Sequence, residues 1–185
     1  TYRTTSCDPM RIVLVTGMPG AGKEELLSVA RGMGLPFIRM GDLVREGYES
    51  SDASYRGMTV GQYAGSERDT FGKGVWARRA MERMEGDVFL VDGCRSLDEV
   101  EEYRRLGGDV AVLAVLASPG QRYERLVARE REDAPRSMEE FEARDSRETG
   151  WGLADLIVRA DAYVVNDSDL ETFRIRARKA LEALI

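Results

Sequence analysis

Gly17-Met18-Pro19-Gly20-Ala21-Gly22-Lys23 carries the residue types needed to grip phosphate, at the spacing G-x-x-x-x-G-K. The glycines allow successive backbone N–H groups to turn toward phosphate oxygens. The lysine reaches the outer phosphates, and the helix that follows adds the positive end of its dipole. The segment follows an apolar, β-branched run (Arg11–Thr16) and opens a helical stretch, the context in which this spacing is informative. Residues 17–23 are therefore expected to hold the phosphates of a nucleotide such as ATP. A dinucleotide reading is weak, because Gly20-Ala-Gly22 is followed by Glu25 where a third glycine belongs.

Glu24 is the departure in this motif. A hydroxyl usually follows the lysine and ligates Mg²⁺. A carboxylate about 4 Å from a phosphate charge would repel it by roughly 4 kcal/mol at an effective dielectric near 20. An intervening Mg²⁺ reverses the sign, because that cation accepts carboxylate oxygens. Three outcomes follow: Glu24 is a substitute metal ligand, or it swings to solvent with activity reduced, or the site binds phosphate without catalysis.

Val88-Phe-Leu-Val-Asp92 ends a second buried-type strand with an acid, the placement that lets an aspartate hold Mg²⁺ or its water shell beside a phosphate loop. Asp92 and Glu24 are thus the candidate metal ligands. Arg122, Arg125 and Arg129 recur at i, i+3 and i+7, with Arg131 beyond. That spacing places the first three on one helix face.

The elements that must position these groups alternate strand and helix. Strands are expected at 11–16, 36–40, 88–92, 110–117 and 162–166. Helices are expected near 23–32, 96–106, 119–132, 137–148 and 168–184. This pattern implies an α/β fold with a parallel sheet covered on both faces. Two stretches break it: 47–74, rich in Gly and Ser, and 130–152, dense in Arg and acids. Both read as lids or mobile loops.

With 185 residues the expectation is one domain over 10–185, preceded by an extension at 1–9. The chain has no histidine, which removes histidine-based nucleophile systems and metal sites. Its net charge of −6 argues against nucleic acid and anionic membranes as partners. No run approaches the roughly 20 apolar residues needed to span a bilayer. Cys7 and Cys94 lack metal-ligand spacing and fit a reducing cytosol, so a cytoplasmic location is expected.

The phosphate loop, Gly41-Asp42-Leu43-Val44-Arg45, Asp92-Gly93-Cys94-Arg95, Arg131-Glu132-Asp133 and Gly150-Trp151-Gly152 together resemble an archaeal family of adenylate-kinase-related P-loop proteins. That family lies within the nucleoside monophosphate kinase and dephospho-CoA kinase-like superfamily. The resemblance runs from Met10 onward. It implies a three-layer P-loop kinase fold with a five-stranded parallel sheet in the order 2-3-1-4-5. It also implies an acceptor-binding insertion at about 42–85 and a lid at about 130–150. On the same basis Asp42, Arg45 and Arg95 bind the acceptor. Arg129 and Arg131 stabilise charge on the transferring phosphoryl group, with Lys23. Asn166 resembles the turn that touches adenine, although Asn166-Asp167-Ser168 equally suits the N-cap of the last helix. Trp151 reads as a packing anchor at the lid hinge.

The implied activity is transfer of the ATP γ-phosphate, with Mg²⁺, to a small acceptor such as a nucleoside monophosphate or dephospho-CoA. The alternative is a weakened nucleotide-binding regulator or ATPase, motivated by Glu24. Neither the acceptor nor the oligomeric state is legible in the sequence.

Overall fold

Along Ile12-Val-Leu-Val15 no side chain reaches solvent, and alternate residues enter different cores. Ile12 and Leu14 face one, Val13 and Val15 the other, as the period-2 strand geometry requires. The computed structural model describes residues 9–129 and 134–185. Its strands are β1 (Arg11–Thr16), β2 (Phe37–Arg39), β3 (Val88–Asp92), β4 (Asp109–Leu116) and β5 (Ala162–Val165). All pair in parallel, in the order β2-β3-β1-β4-β5. The fold class and the strand order are those expected.

One sheet face is covered by α1 (Lys23–Gly32) and α9 (Leu170–Glu182), whose Leu26, Ala30, Phe173 and Ala177 are fully buried. The other face carries α2 (Met40–Glu49), α3 (Val60–Phe71), α4 (Val75–Met81), α5 (Leu97–Arg105) and α8 (Leu153–Val158). The helices α6 (Pro119–Ala128) and α7 (Met138–Gly150) stand at the C-terminal edge of the sheet, above the phosphate loop.

Register places the site. Asp92 pairs with Val15 on one side and Arg39 on the other, so the ends of β1, β2 and β3 converge at one edge. In an open parallel sheet that edge is where ligands bind.

Several boundaries differ from expectation. Strand β2 is three residues long, and Met40 begins a helix instead. Residues 47–74 are mostly helical rather than a mobile loop. Tyr48, Tyr55, Tyr63 and Trp76 form a chain of tilted and edge-on ring contacts with centroids 4.9–5.8 Å apart. Within that cluster Glu67 is 3% exposed and accepts from Tyr55 and Arg79. Gly47 is needed for closeness: a Cβ there would lie 3.0 Å from the Tyr63 hydroxyl and 3.3 Å from the Trp76 ring. The N-cap of α9 is Asp169, which accepts from the Thr172 amide, so Asn166-Asp167-Ser168 is not the cap. Helix α6 ends at Ala128, with Arg129 as its C-cap. Among the described residues no helix is long and apolar enough to cross a membrane.

Candidate active site

Gly17 to Gly22 form the turn from β1 to α1, and Lys23 is the first residue of that helix. Gly22 is the N-cap, in the left-handed region at φ 113°, with no side chain accepting from the first amides. Those amides are left for a ligand, which is how a helix N-terminus receives an anion. A Cβ on Gly22 would come within 2.2 Å of the Asn166 amide, so only glycine fits. Thr16, just before the loop, donates from its hydroxyl to the Cys94 carbonyl and ties the loop to the end of β3.

Lys23 folds back over this turn, its ammonium donating to the Gly17 carbonyl at 2.6 Å and toward the Met18 carbonyl at 3.4 Å. Desolvation lowers its pKa below the usual lysine value, while Asp92 and Glu148 pull it back up. Arg95 and Arg129 lower it further, so all four groups share this field. Burial raises the Asp92 pKa above the ordinary carboxylate value; Lys23 opposes that rise and Glu24 adds to it. Asp92 Oδ1 is buried with no hydrogen-bond partner among the described residues.

That orphaned oxygen is what a cation ligand looks like before the cation arrives, since a buried acceptor left unpaired is costly. Among the described residues no group of three or more acids or cysteines converges as a metal cage. The arrangement fits Mg²⁺, which is commonly held by one or two carboxylates plus substrate phosphates. Asp92 and Glu24 are the residues that could hold it.

Glu24 is exposed, its side chain 45% accessible, yet it is partnered. Its carboxylate accepts from the Arg39 guanidinium at 2.7 Å. It also lines two cavities. One, of about 140 Å³, lies over the phosphate loop and is lined by Pro19, Gly20, Gly22, Asp92, Arg129 and Arg144 among others. The second, about 240 Å³, also takes in Lys23 and Asp92 and reaches Asp42, Arg45 and Arg95. A third, about 860 Å³, shares Arg45 and Arg95 with the second and continues between α2, α3 and Trp151. The three form a row from the phosphate loop to the helices between β2 and β3.

Asp42 lies in the first turn of α2 and pairs with Arg45 one turn on. The helix starts before it, with Arg39 at the N-cap. Arg95 reaches Glu148 at 3.6 Å and lies over the Trp151 ring at 5.7 Å. Trp151, expected as a packing anchor, is 57% exposed, carries Arg95 over its ring and lines the cavity of about 860 Å³.

The arginines of α6 do not act as one face. Arg122 is buried at 4% exposure, donates to the Pro19 carbonyl at 3.1 Å, grips Asp145 of α7 with two nitrogens and stacks over Phe141. Arg125 donates to the Asn166 carbonyl at 2.9 Å, and the Asn166 side chain donates to the Ala21 carbonyl at 2.9 Å. Both therefore brace the phosphate loop from outside. Arg129 stands at the rim of the phosphate-side cavity. Arg131 lies outside the described residues.

Three site residues escaped the sequence reading: Arg39, Glu148 and Arg144. Arg39 follows from register alone, as the strand partner of Asp92. Glu148, 8% exposed, lies seven residues after buried Phe141 on α7. An acid on the buried stripe of an amphipathic helix is a signal the sequence did contain. Arg144 of the same helix lines both phosphate-side cavities.

Residues 13–147 match the family described as AAA domain. The chain is 40% identical to a UPF0200 protein of Thermoplasma volcanium over 171 residues, covering 92% of this chain and 96% of that one. It is 42% identical to a UPF0200 protein of Hyperthermus butylicus over 181 residues, covering 94% of each. Among solved structures, TT1252 from Thermus thermophilus superposes with a TM-score of 0.66 at 22% identity, covering 95% of this chain and 97% of that chain. A shikimate kinase from Bacteroides thetaiotaomicron gives 0.59 at 19% identity, covering 94% and 99%. These likenesses carry the fold. With its phosphate loop, strand order and matched length, the chain belongs to the archaeal UPF0200 family and carries an AAA domain over residues 13–147.

Proposed function

We propose that the protein is a cytoplasmic phosphotransferase that moves the γ-phosphate of ATP, with Mg²⁺, to a small acceptor such as a nucleoside monophosphate or dephospho-CoA. The observation that carries this reading is the row of three cavities, with Lys23 and Asp92 at the junction and Arg45 and Arg95 beyond it. A cavity of about 860 Å³ is the size of a bound organic ligand, which supports an acceptor beside the phosphate loop.

In this reading the amides of the loop 17–22 and the start of α1 hold the phosphates, and Lys23 exchanges its loop carbonyls for phosphate oxygens. Asp92 and Glu148 keep the Lys23 ammonium charged against desolvation. Asp92 and Glu24 would hold the cation, which would supply neutralisation of the charge that develops on the transferring group. Asp42, Arg45 and Arg95 orient the acceptor, and Trp151 walls its far side. Arg129 lines the phosphate-side cavity and would stabilise charge on the transferring group. Asn166 and Arg125 keep the loop in shape, which places Asn166 near the nucleotide as a brace. Transfer to a phosphate acceptor needs positioning and charge neutralisation more than a strong base, so a histidine-free site suffices. The alternative, a binder without transfer, is motivated by Glu24 in place of the usual hydroxyl; the Arg39 ion pair, which offsets that charge, supports the transferase reading.

Calorimetric titration separates the two halves of the site. Lys23→Ala is expected to weaken ATP·Mg²⁺ at least about tenfold, from loss of a charge-assisted phosphate contact. Arg45→Ala is expected to leave ATP affinity within about twofold while weakening phosphorylated acceptors at least about tenfold. Equal losses of both ligands in both variants would contradict the division into donor and acceptor sides.

A further inference from the structure

Glu24 stands one residue after the phosphate-loop lysine, where a neutral hydroxyl is usual. A neutral group there needs no counter-ion, but a carboxylate beside a triphosphate does. Arg39 meets that need from a different element. It ends β2 as the register partner of Asp92, and its guanidinium lies 2.7 Å from Glu24 and 3.9 Å from Asp42. The Arg39 side chain stacks on Phe37 at 5.5 Å. Its Nε is buried with no hydrogen-bond partner among the described residues. Asp42 already has Arg45 as a partner, so Glu24 is the acid that depends on Arg39.

We infer that Arg39 is a positioning residue that acts through Glu24 and sets how nucleotide binding depends on the divalent cation. The inference rests on the reading of the loop as a nucleotide site. Arg39 and a divalent cation are alternative partners for one carboxylate. With no cation, Arg39 holds Glu24 and cancels its charge, so a polyanion can still enter the loop. With a cation present, Glu24 has a second positive partner, and the ion pair with Arg39 becomes dispensable. Loss of Arg39 therefore weighs more heavily without the cation than with it. A phosphate ligand or a packing residue would be needed equally in both.

The test measures ATP affinity by calorimetry in EDTA and in saturating Mg²⁺ for the wild type, Arg39→Gln, Arg39→Lys, Glu24→Ser and the double variant Glu24→Ser/Arg39→Gln. Arg39→Gln is expected to weaken ATP at least about tenfold in EDTA but no more than about threefold in Mg²⁺. Arg39→Lys keeps the charge and most of the EDTA affinity. Adding Glu24→Ser to Arg39→Gln restores EDTA affinity to within about threefold of wild type, because the repelling carboxylate is gone. Thermal melts of the Lys variant and the double variant guard against a folding defect. An equal loss in both buffers, or no rescue by Glu24→Ser, would overturn the role of Arg39 while leaving the nucleotide site intact. A wild type that binds no ATP in either buffer would remove the nucleotide reading and this inference together.

Discussion

Asp92 is ionisable, mostly buried, and raised in pKa chiefly by desolvation. A carboxyl group whose folded-state pKa exceeds its unfolded value destabilises the fold when ionised. The penalty is fully present above the folded pKa and fades as pH falls through it. Asp92→Asn mimics the protonated form, so it is expected to raise Tm at pH 7. The gain should shrink as pH falls toward the ordinary aspartate value of 3.8. The same change removes the proposed cation ligand and should cut the affinity that Mg²⁺ adds to ATP binding by at least about tenfold. Thermal melts across pH, beside titrations with and without Mg²⁺, check both arms. A variant less stable at every pH would show that Asp92 is a structural partner of Lys23 rather than a site acid held at a cost.

At the scale of elements, the helices between β2 and β3 are held by close packing. Gly47 of α2 faces Tyr63 and Trp76, whereas Gly65 of α3 has open space around the place a Cβ would occupy. Alanine is the better helix former by about 1 kcal/mol, so Gly65→Ala is expected to stabilise by up to that amount. Gly47→Ala must instead push an aromatic aside, at a cost of about 1–3 kcal/mol that outweighs the propensity gain. Urea denaturation of the two variants should therefore give opposite signs. The same sign for both would restore the reading of these glycines as mobile-loop residues.

That contrast explains what was legible in the sequence. The strands could be read because each is a continuous β-branched run, and strand-helix alternation then forces parallel pairing. The 2-3-1-4-5 order came from family resemblance rather than from the pattern. Helices α2 to α4 were lost because glycine signals flexibility in a sequence and close approach in a fold. Within the site, Lys23 and Asp92 were visible because each sits at a fixed offset from a strand end. Glu148 and Arg39 were not, because their significance comes from a lysine 125 positions away or from register across strands. Spacing placed Arg122 and Arg125 on one face with Arg129, but it could not show that the first two point into the phosphate loop as braces.

On the scale of the whole molecule, charge is sorted by place. Most cationic side chains are arginines, and several of them (Arg39, Arg45, Arg95, Arg129 and Arg144) gather along the row of cavities at one edge of the sheet. Apart from Asp92, acids beside the phosphate loop are matched: Glu24 with Arg39, Asp42 with Arg45, Glu148 with Arg95. An anionic protein can in this way present a cationic seam to phosphorylated ligands. The seam joins the phosphate loop to the large cavity, a continuity that the proposed transfer reaction requires. The most direct test follows the γ-phosphate itself, by incubating the protein with γ-labelled ATP, Mg²⁺ and a panel of nucleoside monophosphates and dephospho-CoA. The account predicts label in at least one phosphorylated acceptor, with the transfer rate reduced at least about a hundredfold by Lys23→Ala. Tight ATP binding with label left in ATP, or released only as inorganic phosphate at a rate no acceptor changes, would contradict it.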